Sequence, residues 1–130
     1  MFRFLKRLFG LGGLPAGIGL TSTQPEQALI IDTRELSVSL DEVLALEDAL
    51  TEALEASGVG DVDGHDIAVD GSHAIIYMYG AEANKMLVST LTVLRAHRIS
   101  ASGFARLRFG AANDPSVQEI YVEICKIENP

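Results

Sequence analysis

The acidic run from Gly60 to Asp66 (GDVDGHD) holds the residue types best suited to chemistry. Alternate side chains of an extended strand lie on one face, so Asp61, Asp63 and His65 are expected to share a face. Carboxylate oxygens together with an imidazole could hold a divalent cation. An EF-hand loop requires glycine at its sixth position, and Gly64 comes two places early. We interpret the run as a solvated strand entry, with a partner-contacting loop and a metal site as the alternatives, and we expect no metal or cofactor.

Motifs of several enzyme classes are missing from the sequence. It contains no phosphate-binding G-x-x-x-x-G-K-[ST], no dinucleotide-binding G-x-G-x-x-G after a strand, no H-E-x-x-H and no G-x-S-x-G. The single cysteine, Cys125, has no partner for an intramolecular disulfide, which favours a reducing compartment. On a predicted strand it is expected to pack as a small apolar residue. The sequence therefore predicts a non-enzymatic, cytoplasmic protein.

Charge is distributed unevenly along the 130 residues, whose net charge is −8. Residues 26–70 contain thirteen Asp and Glu against one Arg, whereas residues 81–109 contain five Lys and Arg against one Glu. Such asymmetry is typical of a recognition surface, and an acidic surface attracts basic partners. The negative net charge also opposes the binding of nucleic-acid phosphates.

The acidic half contains a well-marked helix. Ser39 and Glu42 form the S-x-x-E capping box that begins a helix, and Gly58 is the residue expected to end it. Apolar residues recur inside this helix at helical spacing, and carboxylates form a stripe on another side. The stripe consists of Asp41, Asp48, Glu52 and Glu55. One side of the helix is therefore predicted to face the core and another to be anionic.

The remaining elements complete a β-α-β-β-α-β-β order. The predicted strands are 28–38, 59–69, 73–79, 103–109 and 117–127, and the second helix is 81–97. Asp70-Gly71 is a hairpin dipeptide between the second and third strands. The order predicts an α+β fold, a ferredoxin-like βαββαβ two-layer sandwich with an additional C-terminal strand. It forms one domain over residues 26–130, which follows an amphipathic and Gly-rich segment at 1–25.

One strand resembles the RNP1 sequence of RNA recognition motifs. Residues 102–109 (SGFARLRF) match its pattern at Gly103, Phe104, Ala105 and Phe109. Arg106 replaces an aromatic residue that would stack on a base. The position also differs, because RNP1 lies on the third strand of its domain, whereas this strand follows the second helix. Nucleic-acid binding is therefore not expected. We predict a strand whose arginines lie on the face opposite the helices.

A second resemblance covers residues 60–97. Asp63-Gly-His-Asp-Ile67, continuing through Gly71 to Tyr79-Gly80 and a helix, is similar to a block in small bacterial proteins. Some proteins of this kind are immunity proteins of polymorphic toxin systems. The resemblance implies a compact inhibitor that binds a toxin, and it carries no catalytic residue.

These observations lead us to expect a protein-binding module with a basic protein partner, which could be a toxin. The expected partner-binding residues are Asp41, Asp48, Glu52, Glu55, Asp61, Asp63 and Asp66. A membrane-associated adaptor and a small-ligand enzyme are the alternatives.

The adaptor alternative depends on the first nine residues. On a helix, the positive side chains there would lie together on one side and large apolar side chains around the other, a short amphipathic pattern. The expected membrane-binding residues are Phe2, Arg3, Leu5, Lys6, Arg7 and Phe9. The glycines and proline that follow are unsuited to a bilayer-spanning helix, so any membrane contact would be peripheral.

If this segment is an anchor, the full chain will co-sediment with vesicles containing anionic lipid. A chain beginning at Thr21 will stay in the supernatant. Three cations near an anionic surface contribute on the order of 3 kcal/mol, so raising the salt concentration will release the full chain. Equal sedimentation of the two chains would contradict the adaptor hypothesis.

Overall fold

The computed structural model describes residues 26–34 and 37–128. This part of the chain contains five strands, three helices and one 3-10 turn. The strands are β1 (Gln27–Asp32), β2 (Asp61–Ile67), β3 (Ala74–Gly80), β4 (Phe104–Arg108) and β5 (Glu119–Glu123). The helices are α1 (Leu40–Ser57), α2 (Ala83–Ala96) and the short α3 (Arg98–Ala101), and the 3-10 turn Ile124–Lys126 follows β5.

All five strands form one antiparallel sheet in the order β2-β3-β1-β4-β5. The expected α+β class is confirmed. Sequence neighbours β2 and β3 pair as a hairpin, whereas β1 pairs with β3 on one side and with β4 on the other. The first strand of the chain is therefore the central strand of the sheet.

The central strand is buried on both of its faces. Leu29 and Ile31, both 0% exposed, belong to the apolar core that the helices cover. Ala28 and Ile30 point to the opposite side of the sheet and are also buried. A strand that is buried on both faces has a continuous apolar sequence, which explains the run ALII at residues 28–31.

The core lies between the sheet and one layer of helices. Its helical contribution comes from the apolar side of α1, which packs on β2, and from α2, which packs on β1, β3 and β4. The largest fully buried side chains of α1 and α2 are Val43, Leu46, Leu50, Leu54, Met86 and Leu94. Full burial of a leucine side chain stabilises the fold by about 1.5–3 kcal/mol relative to exposure.

Both ends of α1 follow the expected capping chemistry. The Ser39 hydroxyl oxygen accepts a hydrogen bond from Glu42 N at 3.1 Å, and Ser39 N donates to Glu42 Oε1 at 3.2 Å. At the other end, Gly58 has φ of +68° and donates its N–H to the Leu54 carbonyl. These interactions satisfy backbone groups that the helix leaves unpaired at its ends.

The predicted hairpin is also present. Gly71 has φ of +72°, the left-handed region in which glycine carries no steric penalty. Its N–H donates to the Ala68 carbonyl, and Asp70 Oδ1 accepts from Ser72 N at 2.9 Å. The turn is therefore held by local hydrogen bonds that the sequence itself specifies.

The first predicted strand was too long. β1 ends at Asp32, where its partners β3 and β4 also reach their ends. Arg34 then turns the chain at φ of +31°, and Asp32 Oδ1 accepts its backbone N–H. Branched residues favour a strand, but beyond Asp32 there is no neighbouring strand with which the backbone could form further sheet hydrogen bonds.

The last predicted strand was also too long, and the position expected for Cys125 was wrong. β5 ends at Glu123 because β4 begins at Phe104, and Ile124 N donates to the Gly103 carbonyl at 3.0 Å. The chain then enters the 3-10 turn, in which Ile124 is buried and Cys125 is exposed.

Gly103 brings the start of β4 close to the end of β1. A Cβ atom at this position would lie 2.5 Å from the Asp32 carbonyl oxygen. This oxygen belongs to the backbone of β1, so it cannot move without moving the strand. We therefore expect Gly103→Ala to lower the free energy of unfolding by about 1–3 kcal/mol, the usual range for overpacking. Denaturant titration measures this, with exposed neighbour Ser102→Ala as the control. Equal stability of the two variants would contradict the close approach.

Candidate functional site

The carboxylates predicted to form a stripe on α1 are at its surface. All four are exposed, while Val43, Leu46, Leu50 and Leu54 on the other side of the helix are buried. The helix therefore has the two sides that its sequence indicates. Within the described chain, the structure gives no partner for Asp41 or Glu52, so these carboxylates are presented to solvent.

The helix α1, which carries the stripe, packs over the acidic strand β2. Strand order places β2 at the edge of the sheet, and α1 packs against β2 and α2. Glu47, buried on the inner side of α1, brings its Oε2 within 3.0 Å of Nδ1 of His65 on β2. The contact is an ion pair when His65 is protonated. The two atoms are not aligned for a hydrogen bond, since Glu47 Oε2 has no hydrogen-bond partner among the described residues. It ties α1 to the strand beneath it.

We call the expected partner-binding residues collectively the acidic flank. Its members are Asp41, Asp48, Glu52 and Glu55 on α1 and Asp61, Asp63 and Asp66 on β2. Asp61 and Asp66 are exposed, and Asp63 is half-buried. The fold thus places α1 and β2, separate in the sequence, at the same edge of the sheet, with Asp61 and Asp66 on the sheet face opposite α1.

The expectation that Asp61, Asp63 and His65 share one face was wrong. A β-bulge between Val62 and Gly64 inserts Asp63 as an extra residue in the pairing with β3. Asp61 consequently pairs opposite Tyr79, and His65 pairs opposite Ile76. The Ile76 side chain is in the core, so His65 points toward the helices, away from the face on which Asp61 lies.

Asp66 is engaged with the sheet through one hydrogen bond. Its Oδ2 accepts from the hydroxyl of Tyr77 on β3 at 3.0 Å. Burial raises the pKa of Tyr77 above its ordinary value, and the neighbouring Asp66 carboxylate raises it further. Tyr77 is therefore a hydrogen-bond donor over the physiological pH range.

Two cations near the helices are paired with carboxylates outside the acidic flank. The Arg98 guanidinium makes a bidentate contact with Glu42, both distances being 2.8 Å, and also donates to the Ser37 carbonyl. This contact lowers the pKa of the Glu42 carboxyl. Lys85 pairs with Glu82, three residues earlier. These two cations therefore do not neutralise carboxylates of the acidic flank.

The described residues include no cluster of three or more His, Cys, Asp or Glu that could hold a metal ion. None of the helices within 26–34 and 37–128 is long and apolar enough to cross a bilayer. The expected membrane-binding residues Phe2, Arg3, Leu5, Lys6, Arg7 and Phe9 lie outside the described residues.

A second candidate site lies on the face of the sheet opposite the helices, which we call the outer face. It contains a cavity of about 210 Å³. The lining residues are Ile30, Asp32, Arg34, Ile75, Phe104, Arg106 and Tyr121. They come from four strands and the turn after β1, and the register places the strand residues side by side.

The charged groups around the cavity differ in their partners. Arg34 Nε lies 3.1 Å from Asp32 Oδ2, and its guanidinium carbon lies 6.0 Å from the centre of the Phe104 ring. Arg106 Nη1 donates to the Tyr121 hydroxyl at 3.3 Å, with its guanidinium carbon 5.8 Å from that ring. The Asp32 carboxylate is therefore neutralised locally, whereas Arg106 donates a hydrogen bond only to a neutral hydroxyl among the described residues.

The arginines of β4 lie where the sequence places them. Ala105 and Leu107 are in the core, and Arg106 and Arg108 are on the outer face. The cavity itself was missed, because its residues are separated by up to 91 positions and meet only through strand register. The alternation of β4 is the one sequence signal that pointed to this face.

Comparison with protein-family models, with curated proteins and with solved structures finds no match to this chain.

Proposed function

We propose that the protein is a non-enzymatic protein-binding module whose acidic flank binds a basic protein partner. The observation that carries the proposal is that the carboxylates of α1 and β2 border the same edge of the sheet, those of α1 on the helix layer and those of Asp61 and Asp66 on the opposite face. In support of a ferredoxin-like sandwich, the first four strands follow the order β2-β3-β1-β4, with α1 between β1 and β2 and with α2 and the short α3 between β3 and β4. β5 is the additional strand.

Charge on the acidic flank would affect the rate of association more than the final affinity. Like charges on one surface create a field that attracts an oppositely charged partner and raises the association rate. Exposed ion pairs formed afterwards contribute only about 0–1 kcal/mol each, so affinity would require apolar contacts as well. Leu40 and Leu44 are exposed on α1 beside the carboxylates and can supply such contacts.

The most specific version of this proposal is neutralisation of a toxin. It is supported by the resemblance of residues 60–97 to a block in immunity proteins, together with the acidic charge. A basic enzyme, such as a nuclease that binds phosphate, is the partner chemistry that an acidic inhibitor would match. The peripheral adaptor stays a prediction that the vesicle experiment tests.

Photo-crosslinking can identify the partner and the surface together. Ala45 is exposed on α1 between Asp41 and Asp48, so a photoreactive side chain there would face a protein bound to the acidic flank. Thr92 is exposed on α2 and provides the matched control position. The proposal requires a crosslink from position 45 to a basic protein and none to that protein from position 92.

Charge reversal then measures the contribution of the flank. We expect Asp48→Lys with Glu52→Lys to slow association with the crosslinked partner on the order of tenfold at low salt, and less at high salt, because salt screens long-range attraction. The control, Glu119→Lys with Glu128→Lys, changes net charge equally outside the acidic flank.

Stopped-flow kinetics over a range of salt concentrations provides the measurement, after circular dichroism has shown that both double variants are folded. If both slow association equally, net charge and not the acidic flank is responsible. If neither slows it, the proposal is wrong.

A further inference from the structure

The cavity on the outer face has the composition of a small-ligand site. Ile30, at 2% exposure, forms an apolar floor with Ile75 beside it. Phe104 and Tyr121 supply aromatic rings, and Arg106 supplies a guanidinium. A few polar groups in a mostly apolar concavity is the usual arrangement of a pocket that orients a ligand.

Arg106 has hydrogen-bonding capacity that the described chain does not use. Its Nε atom is buried and has no acceptor among these residues. Its bond to the Tyr121 hydroxyl, at 3.3 Å, is longer than a usual N–H···O hydrogen bond. A buried donor without an acceptor is destabilising. An anion that accepts from this guanidinium would therefore gain more binding free energy than an anion that binds a solvated arginine.

We propose that the outer-face cavity binds a small monocarboxylate with a flat apolar body. The carboxylate pairs with the Arg106 guanidinium, whose planar fork matches two carboxylate oxygens. The apolar body lies over Ile30 and Ile75, next to Phe104 and Tyr121. This site is separate from the acidic flank, and its test is independent of the proposed protein partner.

Charge on the same face limits the ligand to a small anion. Glu119 pairs opposite Arg108 and Glu123 pairs opposite Phe104, so carboxylates border the arginines on the β5 side. Asp66 borders Tyr77 near the opposite edge. A polyanion such as single-stranded RNA would place further phosphates against these carboxylates, whereas one carboxylate reaches Arg106 alone.

The volume supports the same conclusion. At about 210 Å³, the cavity is smaller than the roughly 300–1,000 Å³ of pockets that hold drug-sized ligands. A single ring with one carboxylate is in the appropriate size range. Benzoate is therefore a suitable probe.

Benzoate titrated into the ¹⁵N-labelled full chain should produce saturable chemical-shift changes at Ile30, Ile75, Phe104 and Tyr121. Benzyl alcohol, of similar size and without charge, should bind on the order of tenfold more weakly, since a charge-assisted hydrogen bond is lost. Inorganic phosphate, which lacks the apolar body, should also bind more weakly than benzoate. These comparisons use the wild-type protein and do not depend on a variant folding.

Arg106→Gln should weaken benzoate binding to the level of benzyl alcohol, and Arg106→Lys should restore only part of it because an ammonium lacks the planar fork. Lys85→Gln, which removes a positive charge on α2, should leave benzoate affinity unchanged. The proposal is overturned if benzoate and benzyl alcohol bind equally, if benzoate shifts no outer-face residue, or if an oligouridine saturates these residues where benzoate does not.

Discussion

The double burial of β1 is the constraint on which the rest of the structure depends. This strand pairs along its length with β3 and β4, and its side chains are buried toward the helices and toward the outer face. Every other strand reaches the sheet through it or through one of its two neighbours. The inward row of β1 contributes to the core, and the outward residue Ile30 forms the floor of the outer-face cavity.

Both candidate surfaces follow from this central position. Since β1 takes β3 and β4 as neighbours, β2 is displaced to one edge and β5 to the other. α1, which connects β1 to β2, packs over that first edge, so that its carboxylates and those of β2 border the same edge of the sheet. Acidic side chains on an edge strand also discourage pairing with another chain. The acidic flank is thus a consequence of topology and can protect the edge as well as recognise a partner.

Local chemistry explains which features could be predicted from sequence. The capping box at Ser39 and Glu42, the left-handed Gly58 and the Asp70-Gly71 turn each act within a few residues, and all were predicted correctly. The exposed side of α1 followed from the same kind of short-range periodicity. Features of this kind need no knowledge of the neighbouring strands.

The errors arose where a distant partner decides the outcome. β1 and β5 end where their pairing strands end, and branched residues beyond those points could not show this. The bulge at Asp63, which separates His65 from Asp61, depends on how β2 matches β3. The cavity was invisible for the same reason, because Ile30, Arg106 and Tyr121 meet only across strands.

Amide hydrogen exchange tests the central position of β1 most directly. Its backbone hydrogen bonds join it to strands on both sides, so the amides of Leu29, Ile30 and Ile31 should exchange only through global unfolding. Their exchange free energies should equal the free energy of unfolding from denaturant titration, and amides of the edge strands β2 and β5 should exchange faster. Faster exchange in β1 than in β2 and β5 would contradict the account.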